Sequence, residues 1–243
     1  MSTLADLRVI FQLLRTGGSK SSDHATRLNQ FYQNQAGDYD EFRKRLLPGR
    51  EQLISSLELP ESARVVDLGG GTGGNLEALT ANQKDRIAHW HLVDLCRPLL
   101  DVAEQRCQKN AYSFVQLHEA DATQWQPEAE ADLVLLSYSL TMIPDWIGAI
   151  DNALRMLKPG GQIAVVDFYV SRKYSGGVQH GAFTRHFWPL WFSWDNVFLS
   201  QDHLPWLQAH TETLVLREDV TRLPFLPGSR VPWYSYVGRK TGN

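Results

Sequence analysis

The sequence predicts an α/β fold of the Rossmann-like type, a parallel sheet covered by helices on both faces, and three observations carry that prediction. From Arg64 onward, short apolar runs alternate with helical stretches, the pattern of strands buried on both faces. A glycine-rich turn, Gly69 to Gly74, lies directly between the first strand and the helix after it, where folds of this kind bind ligands. A chain of 243 residues, 43% hydrophobic and 21% charged, can bury one good core without a second domain.

Leu4, Leu7, Ile10, Phe11 and Leu14 recur at helical spacing behind the capping residues Ser2 and Thr3, and Gly17-Gly18 supplies a stop, so the chain opens on a short amphipathic helix. Asp23 caps a second helix carrying Leu28, Phe31 and Tyr32 towards Gly37, and a third is expected over Tyr39 to Leu59, ended by Pro60. Val65 to Leu68, His89 to Val93, Ser113 to His118, Leu133 to Ser137 and Ile163 to Phe168 read as the strands of the sheet. Helices are expected near Asn75 to Ala81, Pro98 to Asn110 and Trp146 to Leu157, the last stopped by Lys158-Pro159-Gly160-Gly161. Beyond Tyr169 lies a segment rich in aromatics and histidines, then two strand-like runs at Glu212 to Thr221 and Val231 to Arg239. The expected organisation is a helical cap or lid over 1–60 and a catalytic domain over 61–243, with an aromatic-rich insertion at about 170–206.

A formal net charge of −3 gives no global reason to bind nucleic acid, which is not an expected partner. Cys96 and Cys107 are the only cysteines and have no metal-ligand spacing, so no metal is expected and a reducing cytoplasm fits. The first residues do not show the basic, apolar and small-residue pattern expected of a secretory signal, and no apolar run approaches the roughly 20 residues that span a bilayer. A soluble or peripheral protein is expected.

The stretch Val65-Val-Asp67-Leu-Gly69-Gly-Gly71-Thr-Gly73-Gly74-Asn75 lets a ligand lie against bare backbone at the carboxyl edge of the sheet. Gly69, Gly71 and Gly74, with Asp94 about 20 residues on, also satisfy the dinucleotide pattern, so the glycines alone do not decide. Asp67 separates the readings. A dinucleotide would bring a doubly negative pyrophosphate against that carboxylate, at a cost; S-adenosylmethionine brings an ammonium and a sulfonium, which it favours. Asp94, ending the second strand, is placed to accept from both ribose hydroxyls of either cofactor. Asp121 can accept from the adenine amino group, with Leu95 and Ala122 flanking the ring, and this third acid favours the methyl donor. For each aspartate the alternative is a helix cap or turn residue. Gly73, Asn75 and Ser137 complete the expected donor contacts. A P-loop is excluded, because no Gly-Lys-Ser/Thr is present.

The order of glycine turn, Asp94, Asp121 and Leu157-Lys-Pro-Gly-Gly161 resembles the class I S-adenosylmethionine-dependent methyltransferases over about Arg64 to Arg239. That resemblance implies a seven-stranded, mostly parallel sheet whose last strand, Val231 to Arg239, is antiparallel, with S-adenosylhomocysteine as product. Ser137-Tyr-Ser-Leu-Thr-Met-Ile-Pro144, Val165-Val-Asp-Phe-Tyr-Val170, His186-Phe-Trp-Pro-Leu-Trp-Phe192 and Leu199-Ser-Gln-Asp-His-Leu-Pro205 look like the N-methyltransferases of betaine-lipid synthesis. Those enzymes convert diacylglycerylhomoserine to diacylglyceryl-trimethylhomoserine. The resemblance implies a lipid-headgroup substrate, a partner enzyme that supplies the homoserine lipid, and a peripheral location on the inner membrane surface.

Methyl transfer from a sulfonium needs a neutral amine held in line with the methyl carbon, so positioning and a dry site supply most of the acceleration. Tyr138, just past the fourth strand, is the expected residue for orienting the nitrogen, with His180 and His186 as proton relays. Phe183, Phe187, Trp188, Trp191, Phe192 and Trp194 either cap the pocket, making cation–π contacts to the methylated ammonium, or form the core of the insertion; Trp188 and Trp191 are the expected substrate contacts. Tyr39 and Arg43, one helical turn apart, are expected to grip the donor carboxylate or the lipid headgroup, and Tyr32 and Arg50 the headgroup. The alternative for these four is a solvated helix face. The first helix, with Arg8 and Arg15, either packs on the domain, which is preferred, or makes transient contact with a membrane surface. A methyltransferase of a soluble amine or quinone-like carbon acid, an NAD-dependent oxidoreductase and a noncatalytic binding module are the competing readings.

Overall fold

The computed structural model describes residues 47–173, 177–194, 196–222 and 229–242. The first two expected helices, with Tyr32, and the beginning of the third, with Tyr39 and Arg43, lie outside the described residues.

The sheet is built from β1 (Ala63–Leu68), β2 (Ile87–Asp94), β3 (Val115–Glu119), β4 (Ala131–Ser137), β5 (Leu157–Phe168), β6 (Glu212–Thr221) and β7 (Val231–Arg239). Its seven strands are ordered β3-β2-β1-β4-β5-β7-β6. β7 runs antiparallel to both β5 and β6, while every other pairing is parallel. The central strands are aliphatic on both faces, with Val65, Val66, Val134, Leu135, Val165 and Val166 all 0% exposed, because helices cover each side. On one side lie α1 (Arg50–Ser56), α3 (Arg97–Asn110) and α5 (Ala182–Ser193); on the other lie α4 (Trp146–Met156) and α6 (His203–His210).

Several expected boundaries move. The third helix does not run unbroken from Tyr39 to Leu59: within the described residues Pro48-Gly49 interrupts it, Gly49 standing at φ 75°, and α1 ends at Ser56. The helix expected over Asn75 to Ala81 is a 3-10 turn, Gly74–Ala78, followed by a separate α2 (Ala81–Arg86). Thr80 causes the break by capping α2, its hydroxyl accepting from the Gln83 N–H in a capping box. The Gln83 amide then donates to the carbonyls of Ile54 and Leu57 at 2.7 and 2.8 Å, satisfying the end of α1. The Leu157 to Gly161 stop does not precede the fifth strand but forms its start, with a register shift against β4. The aromatic segment contains α5 and leads into α6.

Candidate active site

The chain winds from β1 outward through β2 to β3 and then returns to place β4 on the other side of β1. This reversal opens a crevice at the carboxyl ends of β1 and β4, and the glycine turn lies there. Gly69, Gly71 and Gly73 adopt φ of 69°, 56° and 72°, a region costly for any residue with a Cβ. A Cβ on Gly69 would stand 2.6 Å from Ser139 Cβ, and one on Gly70 2.7 Å from Leu92 Cγ. The Gly69 N–H donates to the Val93 carbonyl at 2.8 Å, and Arg106 of α3 donates to the Thr72 carbonyl, so the turn is held from two sides.

Asp67, at 0% exposure, lies beneath this turn. Both of its oxygens accept from Asn75 Nδ2, at 3.0 and 3.1 Å. Burial pushes its carboxyl up to about 7; the Asn75 hydrogen bond opposes the shift, Asp94 adds to it and Arg50 opposes it. Asp67 and Asn75, both expected at the donor, clasp each other under the turn, and Asn75 is only 5% exposed.

Asp94 spans the crevice, one oxygen accepting from the Gly71 N–H at 2.9 Å and the other from the Cys96 N–H at 2.8 Å. It holds the turn against the end of β2 and, with two lone pairs on each oxygen, can still accept from hydroxyls. Leu95 beside it is half-buried. Asp121 Oδ1 accepts from both the N–H and the hydroxyl of Thr123 at 2.8 Å, which fixes the carboxylate at the end of β3; Ala122 is buried next to it. Ser137, ending β4, and Ser139 are buried, and neither hydroxyl has a hydrogen-bond partner among the described residues.

Arg50 departs from its expected place on a headgroup-binding surface. It is 8% exposed, with Nη1 only 3.4 Å from where a Gly74 Cβ would stand. It lies at the glycine turn because Gly49 in the left-handed region starts α1 there, packed so closely on Trp233 that a Cβ would overlap the indole. Beside it, Leu47, Pro48, Gly49, Arg217 and Trp233 line part of a cleft of about 300 Å³.

The expected catalytic and substrate residues are also redistributed. The Tyr138 hydroxyl donates to the Pro48 carbonyl at 2.6 Å, and the ring is 4% exposed; it secures the segment leading into α1 rather than reaching towards an acceptor nitrogen. His180 Nδ1 accepts from the Ser171 N–H at 2.9 Å, so the neutral ring carries its proton on Nε2 and has no lone pair left for taking another. That removes it as a proton acceptor. His186 is exposed on α5. Trp188 is corrected from substrate contact to core: it is 3% exposed and its indole donates to the Arg230 carbonyl at 2.9 Å. Trp191 is 37% exposed.

One organising residue escaped the sequence reading. Asp167, 0% exposed near the end of β5, accepts from the Thr141 N–H at 3.1 Å, its hydroxyl at 2.8 Å and the Phe168 N–H at 2.8 Å. Its carboxyl, raised by burial to about 7 against these hydrogen bonds, ties the loop after β4 to β5. Its place at a strand end was the available signal.

A turn with glycine at five of its six positions from 69 to 74, acids at the ends of three neighbouring strands and two unpartnered buried hydroxyls suit a cationic adenosine ligand better than a pyrophosphate. Fold and site thus define a Rossmann-like enzyme with a nucleoside-type cofactor. A model described as a methyltransferase domain matches residues 37–216, and the chain belongs to that family. Among curated relatives, the ubiquinone/menaquinone biosynthesis C-methyltransferase UbiE of Bartonella bacilliformis is 26% identical over 171 residues, 63% of this chain and 65% of that protein. The demethylmenaquinone methyltransferase of Bacillus licheniformis is 26% identical over 119 residues, 49% of this chain and 50% of that protein. The matches thus span between half and two thirds of these relatives' length. Among solved structures, the N-methyltransferase NodS of Bradyrhizobium japonicum, in complex with S-adenosylhomocysteine, has TM-score 0.66 at 16% identity and covers 88% of this chain and 99% of its own. That likeness carries the fold.

Proposed function

We propose that this methyltransferase moves methyl groups from S-adenosylmethionine to the amino nitrogen of a homoserine lipid headgroup, giving the trimethylated betaine lipid. The observation that carries the donor is the pair Asp67 and Asp94, one beneath and one across a turn that no side chain obstructs. When bound, S-adenosylmethionine supplies an electrophilic methyl group on a sulfonium. Asp94 would hold the ribose and Asp121 the adenine amino group; Ser137 and Arg50 would meet the charged amino-acid end. The residues around the acceptor orient a neutral amine and exclude water. As the N–C bond forms and the S–C bond breaks, the nitrogen becomes cationic and its proton must leave before a further round; His186, in contact with solvent, is the proposed relay.

Support for the lipid acceptor comes from the resemblance of the aromatic segment, whose inner rings Trp188 and Phe192 lie in the same core cluster as Tyr138 and Phe168. In this reading 1–60 forms a cap over the site, and a partner enzyme supplies the homoserine lipid. A quinone-like carbon acid is the second reading, favoured by the two relatives named for that chemistry. Mass spectrometry of the products formed from methyl-labelled S-adenosylmethionine separates the two, with diacylglycerylhomoserine or a demethylated quinol in mixed micelles as acceptor. Mono-, di- and trimethylated lipid appearing in sequence is the expected result. Label in the quinol alone would replace the lipid reading with the second.

A further inference from the structure

The aromatic segment has two faces. Along α5, Phe183, Phe187, Leu190, Trp191 and, just past its end, Trp194 recur at steps of three and four residues, which places them on one stripe. Phe183 is 73% exposed, Leu190 66% and Trp194 67%, and Phe198 beyond the helix is 54% exposed. The opposite side of α5 is core. Between the two runs an unbroken ladder of ring contacts: Phe183 to Phe187 at 4.9 Å, Phe187 to Trp188 at 4.9 Å, Trp188 to Phe192 at 5.9 Å, Phe192 to Phe168 at 5.2 Å and Phe168 to Tyr138 at 4.9 Å. The ladder ends one residue from Ser139, which packs on Gly69 of the donor turn. Ring packing is thus continuous from the exposed stripe of α5, through the buried core, to the residue beside the donor turn.

The segment that carries α5 is net basic. Arg185 lies on α5, Lys173 precedes it, and Arg230 is exposed with its carbonyl bonded to Trp188. Arg172 is offset by Asp202 at 2.8 Å. Between Ser171 and Ser200 the only acid is Asp195. Tryptophan and phenylalanine beside cationic side chains match the headgroup layer of an anionic bilayer, where rings enter the acyl boundary and cations meet phosphate.

We propose that α5 is a membrane-docking helix that seats on an anionic bilayer through Phe183, Leu190 and Trp194, which would bring the domain that holds the donor turn to the surface carrying a lipid-borne acceptor. The docking is separate from the identity of the acceptor; only the delivery of a homoserine lipid rests on the proposed function.

The test is co-sedimentation of the full chain with vesicles of phosphatidylcholine, with and without phosphatidylglycerol, for the wild type and the triple variant Phe183→Ser, Leu190→Ser, Trp194→Ser. S-adenosylmethionine affinity serves as the folding control. The wild type is expected to sediment with the phosphatidylglycerol vesicles and less with phosphatidylcholine alone. The variant should lose vesicle partition by about tenfold or more, given the apolar area removed, at unchanged donor affinity. A wild type that stays in the supernatant, or a variant that sediments equally well, overturns the inference. So does a dimer seen by light scattering that the variant dissolves while neither protein binds vesicles, since the stripe would then serve a second copy. Lipid methylated in micelles without vesicle binding would sink this inference and leave the proposed function standing; vesicle binding without lipid methylation would do the reverse.

Discussion

Asp67 stores the site's electrostatic preference. A carboxyl raised to about 7 by burial is partly protonated at neutral pH, and a bound sulfonium and ammonium favour its ionised form. Donor binding near pH 7 is therefore expected to release up to about one proton. Calorimetric titrations in phosphate and in Tris would report it as a binding enthalpy that depends on the buffer's ionisation heat, and Asp67→Asn should abolish the dependence. Equal enthalpies in the two buffers for the wild type would mean that Asp67 does not sense the donor. The sequence reading has Asp67 favouring the donor's cationic groups, directly or through water. It missed the Asn75 clasp because glycines that bring position 75 back over position 67 leave no periodic signal.

At the scale of elements, α5 divides between core and surface, and substitutions should divide with it. Trp188→Ala removes a buried indole and strands the Arg230 carbonyl, a loss of about 3 to 5 kcal/mol; Trp191→Ala, at 37% exposure, should cost under about 1 kcal/mol. Urea denaturation of both variants checks the contrast, and equal losses would contradict the packing. Strands such as Val65 to Leu68 were legible because a run of apolar residues between polar stretches has one interpretation in this architecture. The break at Gly49, the capped α2 and the division of α5 were not. The first and last are decided by a tertiary partner, Trp233 or Phe168, that local periodicity does not contain; α2 is set off by the Thr80–Gln83 capping box, a local signal separate from the apolar period. Among site residues, Gly69, Asp94 and Asp121 could be placed from strand ends and turn chemistry, whereas the roles of Tyr138, His180 and Trp188 depend on hydrogen bonds to distant backbone.

For the whole molecule, buried titratable groups of opposite sense set the response to pH. Burial holds His91 and His203 at about 4 and lowers His118 and His180. These four bind protons more readily unfolded, so their stabilisation is lost as pH falls from about 6.5 towards 4. Asp67 and Asp167, raised to about 7, work the other way, stabilising below their ordinary value near 3.8 and losing that as pH rises through 7. The opposing slopes partly cancel between pH 4 and 6.5. Asp167→Asn removes one opposing group, so besides its general cost the variant should lose stability towards acid more steeply, by up to about 1.4 kcal/mol per pH unit. Denaturant melts at pH 5 and 6 measure the slope, and an unchanged slope would show that Asp167 is ionised throughout. Among the described residues, no helix is long and apolar enough to cross a membrane.

With the donor over Gly69 to Asn75 and Asp94 across from it, direct titration of S-adenosylmethionine into the wild type and Asp94→Ala tests that placement. The wild type should bind one equivalent, and the variant should bind at least about tenfold more weakly, because the ribose hydroxyls and the Gly71 and Cys96 N–H groups lose their shared acceptor. Equal affinity in a variant that melts like the wild type would place the donor elsewhere and contradict the site described.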